Sequence, residues 1–213
     1  MIRAVYASTD NVSFDKLLKV SDRETAIRAG EAYNRKKGMA IAFGRYLATV
    51  LEAEYLQKEV SEIKLRHDSD GRPFFDSCKE YVSISHCENM VLVCISDKNV
   101  GCDIQTPKRF HPMAHKNCFV PSDYEFIVSS DNPDEAMNLV WTRRESMIKI
   151  LGPKEARQYS YADATEVCQR ENIEFHEDTI AGMKVCIAGY KAEEIQIEEC
   201  DEAVIRSIQT ETE

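Results

Sequence analysis

The sequence has no uninterrupted apolar run of about 18 residues, so it contains no segment predicted to span a bilayer. Residues 1–20 also lack an apolar block long enough for a signal peptide, and we therefore expect a cytoplasmic protein without membrane association. The 213 residues, 43% of them hydrophobic, are enough for one large globular domain or for two small lobes that share a core.

Positive charge is scarce, because 27 Lys and Arg residues stand against 37 Asp and Glu residues, a net charge of -10. A nucleic-acid-binding protein usually carries a basic surface, so we expect no nucleic-acid partner. A phosphorylated ligand needs only a local basic cluster, and Arg35, Lys36 and Lys37 form one. The same cluster also fits the solvated start of a helix, and the sequence alone leaves both interpretations open.

The CxxC pattern of zinc and redox sites is absent, although the chain has eight cysteines. Cys94, Cys102 and Cys186 lie within apolar stretches. We therefore expect buried free thiols in a reducing compartment rather than a disulfide framework.

The first half of the chain contains a succession of helical and β-rich segments. Three β-rich runs separated by polar breaks predict a meander of antiparallel strands. The predicted elements are a strand at 2–8, a helix from a capping signal at 21–24 to about 33, a core helix at 37–55, a strand at 62–68 and the three runs at 81–86, 90–96 and 100–105.

The second half shows the same order of helix and strands. A helix is predicted over residues 133–151, because Pro133 suits a first helical position and Gly152-Pro153 is a strong terminator. Residues 154–178 are predicted to be irregular with one short helix. The runs at 183–190 and 193–200 predict a hairpin, and the recurrence of helix and strands indicates two similar halves.

Asp103 stands out in the run Val-Gly-Cys-Asp-Ile-Gln at 100–105. Side chains alternate along a strand, so Asp103 and Gln105 share one face while Cys102 faces the other way. Burying a carboxylate is costly unless it is paired or bound to metal. An Asp at the exposed end of the strand, satisfied by water or an Arg, is the alternative.

The predicted helix at 133–151 carries Trp141, Glu145 and Lys149 at successive i, i+4 positions, which lie on one face. Such a stripe can hold a divalent cation through Glu145 and a phosphate oxygen through Lys149. A Glu–Lys ion pair beside a core Trp is the alternative interpretation.

Two further segments carry polar side chains of interest. His86, at the end of a strand, can donate to a phosphate, act as a general base or cap a loop. Ser85 and His86 do not form a nucleophilic dyad, because adjacent strand residues face opposite sides and no GxSxG elbow surrounds them. Gly71 and Pro73 are typical turn residues and need no functional explanation. The turn exposes Arg72, which can then contact either a phosphate or solvent.

These motifs together resemble the 4'-phosphopantetheinyl transferase superfamily. Gly-Arg-Pro at 71–73 is followed by Ile-Ser-His at 84–86, by the Asp103 strand and by W-x-x-R-E-S-x-x-K at 141–149. The sequence looks most like the longer, two-lobed Sfp type. The resemblance extends over roughly residues 36–152, and the paired Asp-strand and Glu-helix motifs are its most specific part.

The resemblance implies an α+β fold of two similar lobes related by a pseudo-twofold axis. Each lobe would be a small antiparallel sheet packed with helices, with the ligand in the cleft between them. The lobes would comprise residues 1–100 and 101–213. It implies an enzyme that transfers 4'-phosphopantetheine from coenzyme A to a serine of an acyl or peptidyl carrier protein, releasing 3',5'-ADP.

The resemblance also implies roles for individual residues. Asp103 and Glu145 would hold Mg²⁺ at the pyrophosphate, and Glu145 would be the base for the carrier serine. Lys149 would contact the reacting phosphate. Ser85 and His86 match positions that contact the 3'-phosphate and ribose of coenzyme A, and Arg72 matches the basic residue of the family's Gly-Lys-Pro turn.

Three positions depart from the family pattern. Gln105 stands where a second acid is common, so its contact to the metal is expected to be weaker or to pass through water. Arg144 replaces the usual Lys and keeps the positive charge for the coenzyme. Ala40 stands where an Arg is expected, so the adenine-phosphate contacts are assigned to a basic set comprising Arg28, Arg35, Lys36 and Lys37.

The expected partners are coenzyme A and a carrier protein of fatty-acid or secondary-metabolite biosynthesis, and the expected oligomeric state is a monomer. The alternative from another functional class is a coenzyme A or carrier-protein binding module that has lost catalysis. Gln105 and Ala40 favour that alternative. A scaffold protein with no small-molecule site is a third interpretation.

Overall fold

The computed structural model describes residues 1–76, 78–159 and 162–210, with only the backbone for 209 and 210. The strands are β1 (Ile2–Ser8), β2 (Leu65–His67), β3 (Pro73–Phe75), β4 (Tyr81–Cys87), β5 (Met90–Ser96), β6 (Gly101–Gln105), β7 (Ile173–Ile180), β8 (Met183–Tyr190) and β9 (Ile195–Glu199). The helices are α1 (Phe14–Val20), α2 (Arg23–Gly30), α3 (Arg35–Leu56), α4 (Pro112–His115), α5 (Pro121–Ser129), α6 (Pro133–Leu151), α7 (Pro153–Arg157), α8 (Ala164–Arg170) and α9 (Glu202–Thr210).

The larger sheet has six strands in the order β2-β3-β4-β5-β1-β9. Its neighbours are antiparallel except for β9, which pairs in parallel with β1. The long helix α3 packs on β4 and β5. At Gly44 the helix approaches so closely that a Cβ atom would lie 2.8 Å from Cγ2 of Ile84. Glycine therefore allows α3 to lie directly on the sheet.

The smaller sheet has three antiparallel strands in the order β6-β8-β7, and α6 packs on β6 and β8. A Cβ atom at Gly101 would lie 2.1 Å from the carbonyl oxygen of Ser146, so glycine is required where α6 crosses β6. Hydroxyl groups of β4 join the two sheets: Ser83 Oγ accepts from Cys102 N at 3.0 Å, and Ser85 Oγ accepts from Ile104 N at 3.3 Å. This junction surrounds Asp103.

Several predicted elements are confirmed. The strand at 2–8 and the helix at 133–151 have the predicted bounds. Helix α6 ends at Leu151 and is capped by Gly152, whose φ of 88° suits only glycine well. The core helix is slightly longer than predicted. The capping residue of α2 is Asp22, whose side chain accepts from Thr25 N, and that helix ends at 30 rather than 33.

Two strand pairings predicted from the sequence are wrong. The run at 100–105 does not extend the β4–β5 hairpin but enters the smaller sheet as β6. The runs at 183–190 and 193–200 do not form a hairpin, because β8 pairs with β6 and β7 while β9 crosses to β1. Alternation of apolar side chains predicts which face of a strand is buried, but it does not identify the neighbouring strand.

The region 154–178 is also more regular than predicted, since it contains two short helices and most of β7. Helix α1 was missed, because its seven residues are too few for a clear periodic signal.

The α+β class is confirmed, with a mixed sheet and a small antiparallel sheet packed with helices. The prediction of an antiparallel sheet in each lobe is wrong for the larger sheet, because β9 is parallel to β1. The pseudo-twofold relation and the division at residue 100 stay predictions. All eight cysteines are free, five of them buried. Of the helices that the structure describes, none is long and apolar enough to cross a membrane.

Candidate functional site

Asp103 lies at the junction of the two sheets and is 3% exposed. Its Oδ1 atom accepts hydrogen bonds from Ser85 Oγ at 2.8 Å and from the Lys149 ammonium at 3.1 Å. Its Oδ2 atom is buried and has no hydrogen-bond partner among the described residues. An unpartnered buried carboxylate oxygen is unfavourable unless a ligand uses it.

Glu145 faces Asp103 from α6 and is half-buried. Burial raises the pKa of the Glu145 carboxyl, and the negative charge of Asp103 adds to the rise, whereas Lys149 and Arg144 oppose it. Glu145 is therefore harder to ionise, because its negative charge and that of Asp103 repel each other. A divalent cation would relieve this repulsion.

Lys149 reaches the same site from the next turn of α6. Its Nζ atom donates to the carbonyl oxygen of Cys102 at 2.7 Å as well as to Asp103. The ion pair found for Lys149 is therefore to Asp103 on β6, not to Glu145 on its own helix. Trp141 on the same face is 37% exposed, with the Lys108 ammonium 5.7 Å from its ring centroid, so it is not a core residue.

Ser85 and His86 face opposite sides of β4, as strand geometry requires. The Ser85 hydroxyl donates to Asp103 and accepts from Ile104 N, so both of its bonding directions are used within the protein. Burial lowers the pKa of His86, and the positive charges of Lys37 and Lys149 lower it further. His86 is therefore neutral at neutral pH and lies where cations of α3 and α6 converge.

The remaining predicted residues have contacts of their own. Gln105 Oε1 accepts from the Cys87 thiol at 3.8 Å. Arg72 donates to Asn99 Oδ1 at 3.1 Å and to the Ile150 carbonyl at 3.3 Å, so it binds the end of α6. Arg144 lies 3.8 Å from a carboxylate oxygen of Asp123 on α5.

The basic cluster at the start of α3 is exposed. Arg35 pairs with Asp15 at 3.1 Å and stacks over the Phe14 ring at 4.8 Å. Lys36 is exposed beside it, and Lys37 is close enough to His86 to affect its titration. Arg28 pairs with Glu24 at 3.3 Å on α2.

The structure thus brings together Asp103, Glu145, Lys149 and Ser85, with His86 near enough for Lys149 and Asp103 to affect its pKa. Sequence reasoning missed the Cys102 carbonyl and the support that Ser85 gives Asp103. The alternation of Ser83 and Ser85 with the apolar Val82 and Ile84 was a usable signal, since buried hydroxyls need partners on a neighbouring element.

Two other features of the described residues lie away from this site. A cavity of about 600 Å³ is lined by residues of α2, α3 and β2, but it contains none of the predicted site residues. Buried Arg45 borders it and is held by Thr25, His67 and the Leu65 carbonyl. A group of three potential metal ligands, Glu52, Cys78 and Glu80, lies at the other end of the larger sheet.

Comparison with known proteins matches residues 99–198 to the family model of the 4'-phosphopantetheinyl transferase superfamily. The matched segment is slightly under half of the 213-residue chain and contains Asp103, Gln105, Arg144, Glu145 and Lys149. The match supports a transferase. A search of curated proteins gave no match.

Proposed function

Because residues 99–198 carry a domain of the 4'-phosphopantetheinyl transferase superfamily, we propose that this protein is an Sfp-type holo-carrier-protein synthase. It transfers the 4'-phosphopantetheine group of coenzyme A to a serine of an acyl or peptidyl carrier protein and releases 3',5'-ADP. The reaction depends on Mg²⁺. We further propose a cytoplasmic monomer that serves fatty-acid or secondary-metabolite biosynthesis.

The orphaned Oδ2 atom of Asp103 is the observation that carries this proposal. It lies beside Glu145, whose pKa is raised by burial and by Asp103 itself. The oxygen-only donor set fits Mg²⁺, which binds one or two carboxylates and completes its shell with phosphate oxygens and water. Asp103 and Glu145 would hold the ion directly, with the Gln105 amide behind a water. When bound, Mg²⁺ neutralises charge on the pyrophosphate.

Glu145 and Lys149 have separate tasks in the transfer. The hydroxyl oxygen of the carrier serine attacks the phosphorus that bears pantetheine, and its proton passes to Glu145 directly or through a water. The bond from that phosphorus to the oxygen of 3',5'-ADP breaks. The Lys149 ammonium, now on Asp103, lies on a flexible stem that allows it to contact a phosphoryl oxygen.

We place the coenzyme in a cleft between lobes at 1–100 and 101–213. His86 and the exposed Arg35 and Lys36 are assigned to its 3'-phosphate end, because neutral His86 can donate to a phosphate while the two bases supply charge. Arg72 and Arg144 are proposed as further phosphate contacts. Ser85 is expected to act by holding Asp103, because its hydroxyl is already engaged.

The test is a mass measurement of apo carrier proteins after incubation with enzyme, coenzyme A and Mg²⁺. A fatty-acid carrier and a peptide-synthetase carrier are used in parallel. We expect at least one carrier to become heavier by one phosphopantetheine group. Glu145→Gln should abolish the gain, whereas Glu135→Gln, which removes an exposed carboxylate of the same helix, should not.

A binding module without catalysis is the second candidate, favoured by Gln105, which has no charge to offer a metal and whose amide oxygen accepts from Cys87. It predicts coenzyme A binding that needs no metal and that tolerates Glu145→Gln. Binding of this kind without any mass gain on the carriers would reject the transferase and support the module.

A further inference from the structure

Glu52 on α3 and the Cys78 and Glu80 side chains before β4 form a second acidic cluster. One ligand atom from each residue lies within 4.8 Å of those of the other two. Glu80 precedes β4, whereas Ser85, which holds Asp103, lies about 16 Å further along the extended strand. The two clusters are therefore separate sites.

Glu52 has an unsatisfied carboxylate. Its side chain is 0% exposed, and its Oε2 atom accepts a hydrogen bond from Arg3 at 3.3 Å. Its Oε1 atom has no hydrogen-bond partner in the part of the chain that the structure describes. An unsatisfied buried polar atom is unfavourable by about 1–3 kcal/mol, and more when it is charged. A ligand that uses this oxygen would remove the penalty.

Arg3 cannot serve both oxygens from its present position. Its Nη1 atom donates to the Leu51 carbonyl at 3.2 Å, and its guanidinium carbon lies 4.2 Å from the centroid of the Tyr55 ring. These contacts hold the guanidinium on the Oε2 side. The Oε1 atom of Glu52 is therefore available to a ligand bound by the cluster.

Two members of the cluster, Cys78 and Glu52, are harder to ionise than usual. Burial raises the pKa of the Cys78 thiol to about 12, and contact with Glu52 adds to the rise. Burial also raises the pKa of Glu52, and the charge of Glu80 adds to it. A bound cation inverts this balance, because it stabilises a thiolate and two carboxylates together.

We propose that Glu52, Cys78 and Glu80 bind a thiophilic divalent cation of the zinc type, with water as the fourth ligand. Zinc accepts thiolate and carboxylate ligands in tetrahedral geometry, whereas magnesium selects oxygen alone. Around such an ion the ligand atoms lie about 3.5 Å apart, so atoms that now lie within 4.8 Å of one another need to approach by at most about 1 Å.

Binding displaces the Cys78 proton to solvent, and the ion then ties the connection between β3 and β4 to α3. This role is structural, and it does not rest on the proposed transferase activity.

The test is a titration of the metal-free full-length protein with Co²⁺, whose thiolate complexes absorb in the near ultraviolet. We expect one equivalent of Co²⁺ to produce this charge-transfer band and Zn²⁺ to remove it by displacement. Zn²⁺ should also raise the Tm more than an equal concentration of Mg²⁺. No band, together with equal Tm shifts for the two ions, would overturn the proposal.

Single substitutions assign the band to this cluster. Cys78→Ser should abolish it, whereas Cys118→Ser, which removes an exposed thiol between α4 and α5, should leave it intact. Glu80→Gln is the second variant, because its half-buried side chain is less important for folding. It should weaken Zn²⁺ binding at least about 10- to 100-fold, the loss typical of an outer-shell partner. A band that survives Cys78→Ser, or unchanged Zn²⁺ affinity in Glu80→Gln, contradicts the proposal.

Discussion

Asp103 and Glu52 are both buried carboxylates with one oxygen on a basic side chain and one oxygen without a partner among the described residues. Asp103 is paired with Lys149, whose ammonium lies at the end of a flexible, partly exposed stem. Glu52 is paired with Arg3, whose guanidinium is fixed by the Leu51 carbonyl and the Tyr55 ring. Each base also donates to a backbone carbonyl, Lys149 to Cys102 at 2.7 Å and Arg3 to Leu51 at 3.2 Å. The lysine ammonium is a point charge with rotatable donors, whereas the guanidinium is a rigid plane.

The neighbours of the two carboxylates differ as well. Asp103 faces the carboxylate of Glu145, with Gln105 further along its strand, and oxygen ligands of this kind suit a hard cation. Glu52 faces the Cys78 thiol, and sulfur suits a softer ion. The donor types thus favour a hard ion at the proposed reaction site and a softer ion at the proposed structural one.

The largest effect is expected from Asp103→Asn. The amide keeps the shape of the side chain but removes the charge proposed to hold Mg²⁺, so the proposed transferase activity should fall on the order of a hundredfold or more. Steady-state kinetics with a carrier protein measure the loss. Asp178→Asn, an exposed acid on β7, is the matched control. Equal activity in the two variants would show that Asp103 is structural.

Lys149→Met tests whether the ammonium is the exchangeable counter-ion of Asp103. Removing one partner of a buried pair leaves the other charge uncompensated, so the free energy of unfolding should fall by about 3 kcal/mol without metal. Mg²⁺ should restore part of this loss and raise the Tm of the variant more than that of the original protein. Denaturant unfolding with and without Mg²⁺ measures both quantities.

The control for Lys149→Met is Lys184→Met, because the Lys184 ion pair with Glu135 is exposed. It should lower stability by less than about 1 kcal/mol. Equal losses in the two variants would mean that the Asp103 pair is no stronger than a surface pair, and the contrast with Glu52 would then disappear.

Glu52→Gln tests whether the buried Glu52 carboxylate needs a bound cation. The amide oxygen can keep the bond to Arg3 while the amide nitrogen donates toward Glu80, so the metal-free variant should be more stable by about 1–2 kcal/mol. The same change removes a metal ligand, so the Tm rise produced by Zn²⁺ should largely vanish. Thermal unfolding with chelator and with Zn²⁺ measures both. A destabilised metal-free variant would show that the Glu52 charge is satisfied without a ligand.

Much of the fold was predictable from local signals. The bounds of β1 and α6 follow from apolar periodicity, from Pro133 and from the Gly152 terminator. The partners of β6 and β9 did not follow, because strand pairing between distant segments depends on the whole packing arrangement. The crossing of β9 to β1 joins residues that are almost at opposite ends of the chain.

The candidate site was predictable as a set of residues but not as a set of contacts. Asp103, Glu145 and Lys149 were identified from motif order, and the structure brings them together. The ion pair between Lys149 and Asp103 spans 46 positions, so helical spacing instead suggested a Glu145–Lys149 pair. The Glu52 cluster gave no signal, since Glu52 is distant in sequence from Cys78 and Glu80 and the three belong to no shared motif.

Asp123 is a third buried acid, 4% exposed, and its pairing cation is Arg144. Burial raises its pKa to about 6, and Asp163 adds to the rise while Arg144 and Arg143 oppose it. Because the folded state keeps this proton at higher pH than the unfolded state, the associated stability is full below about pH 4. It is lost as the pH rises through about 6.

Asp123→Asn should therefore match the original protein in stability at about pH 4 and exceed it by about 1 kcal/mol at about pH 8. The gain is smaller than the shift in pKa alone implies, because the amide also gives up the charge attraction to Arg144 at 3.8 Å. Urea unfolding at the two pH values measures the difference, with the exposed Asp178→Asn as control. A variant that is less stable at high pH would show that the attraction of Arg144 outweighs the cost of burying the Asp123 charge.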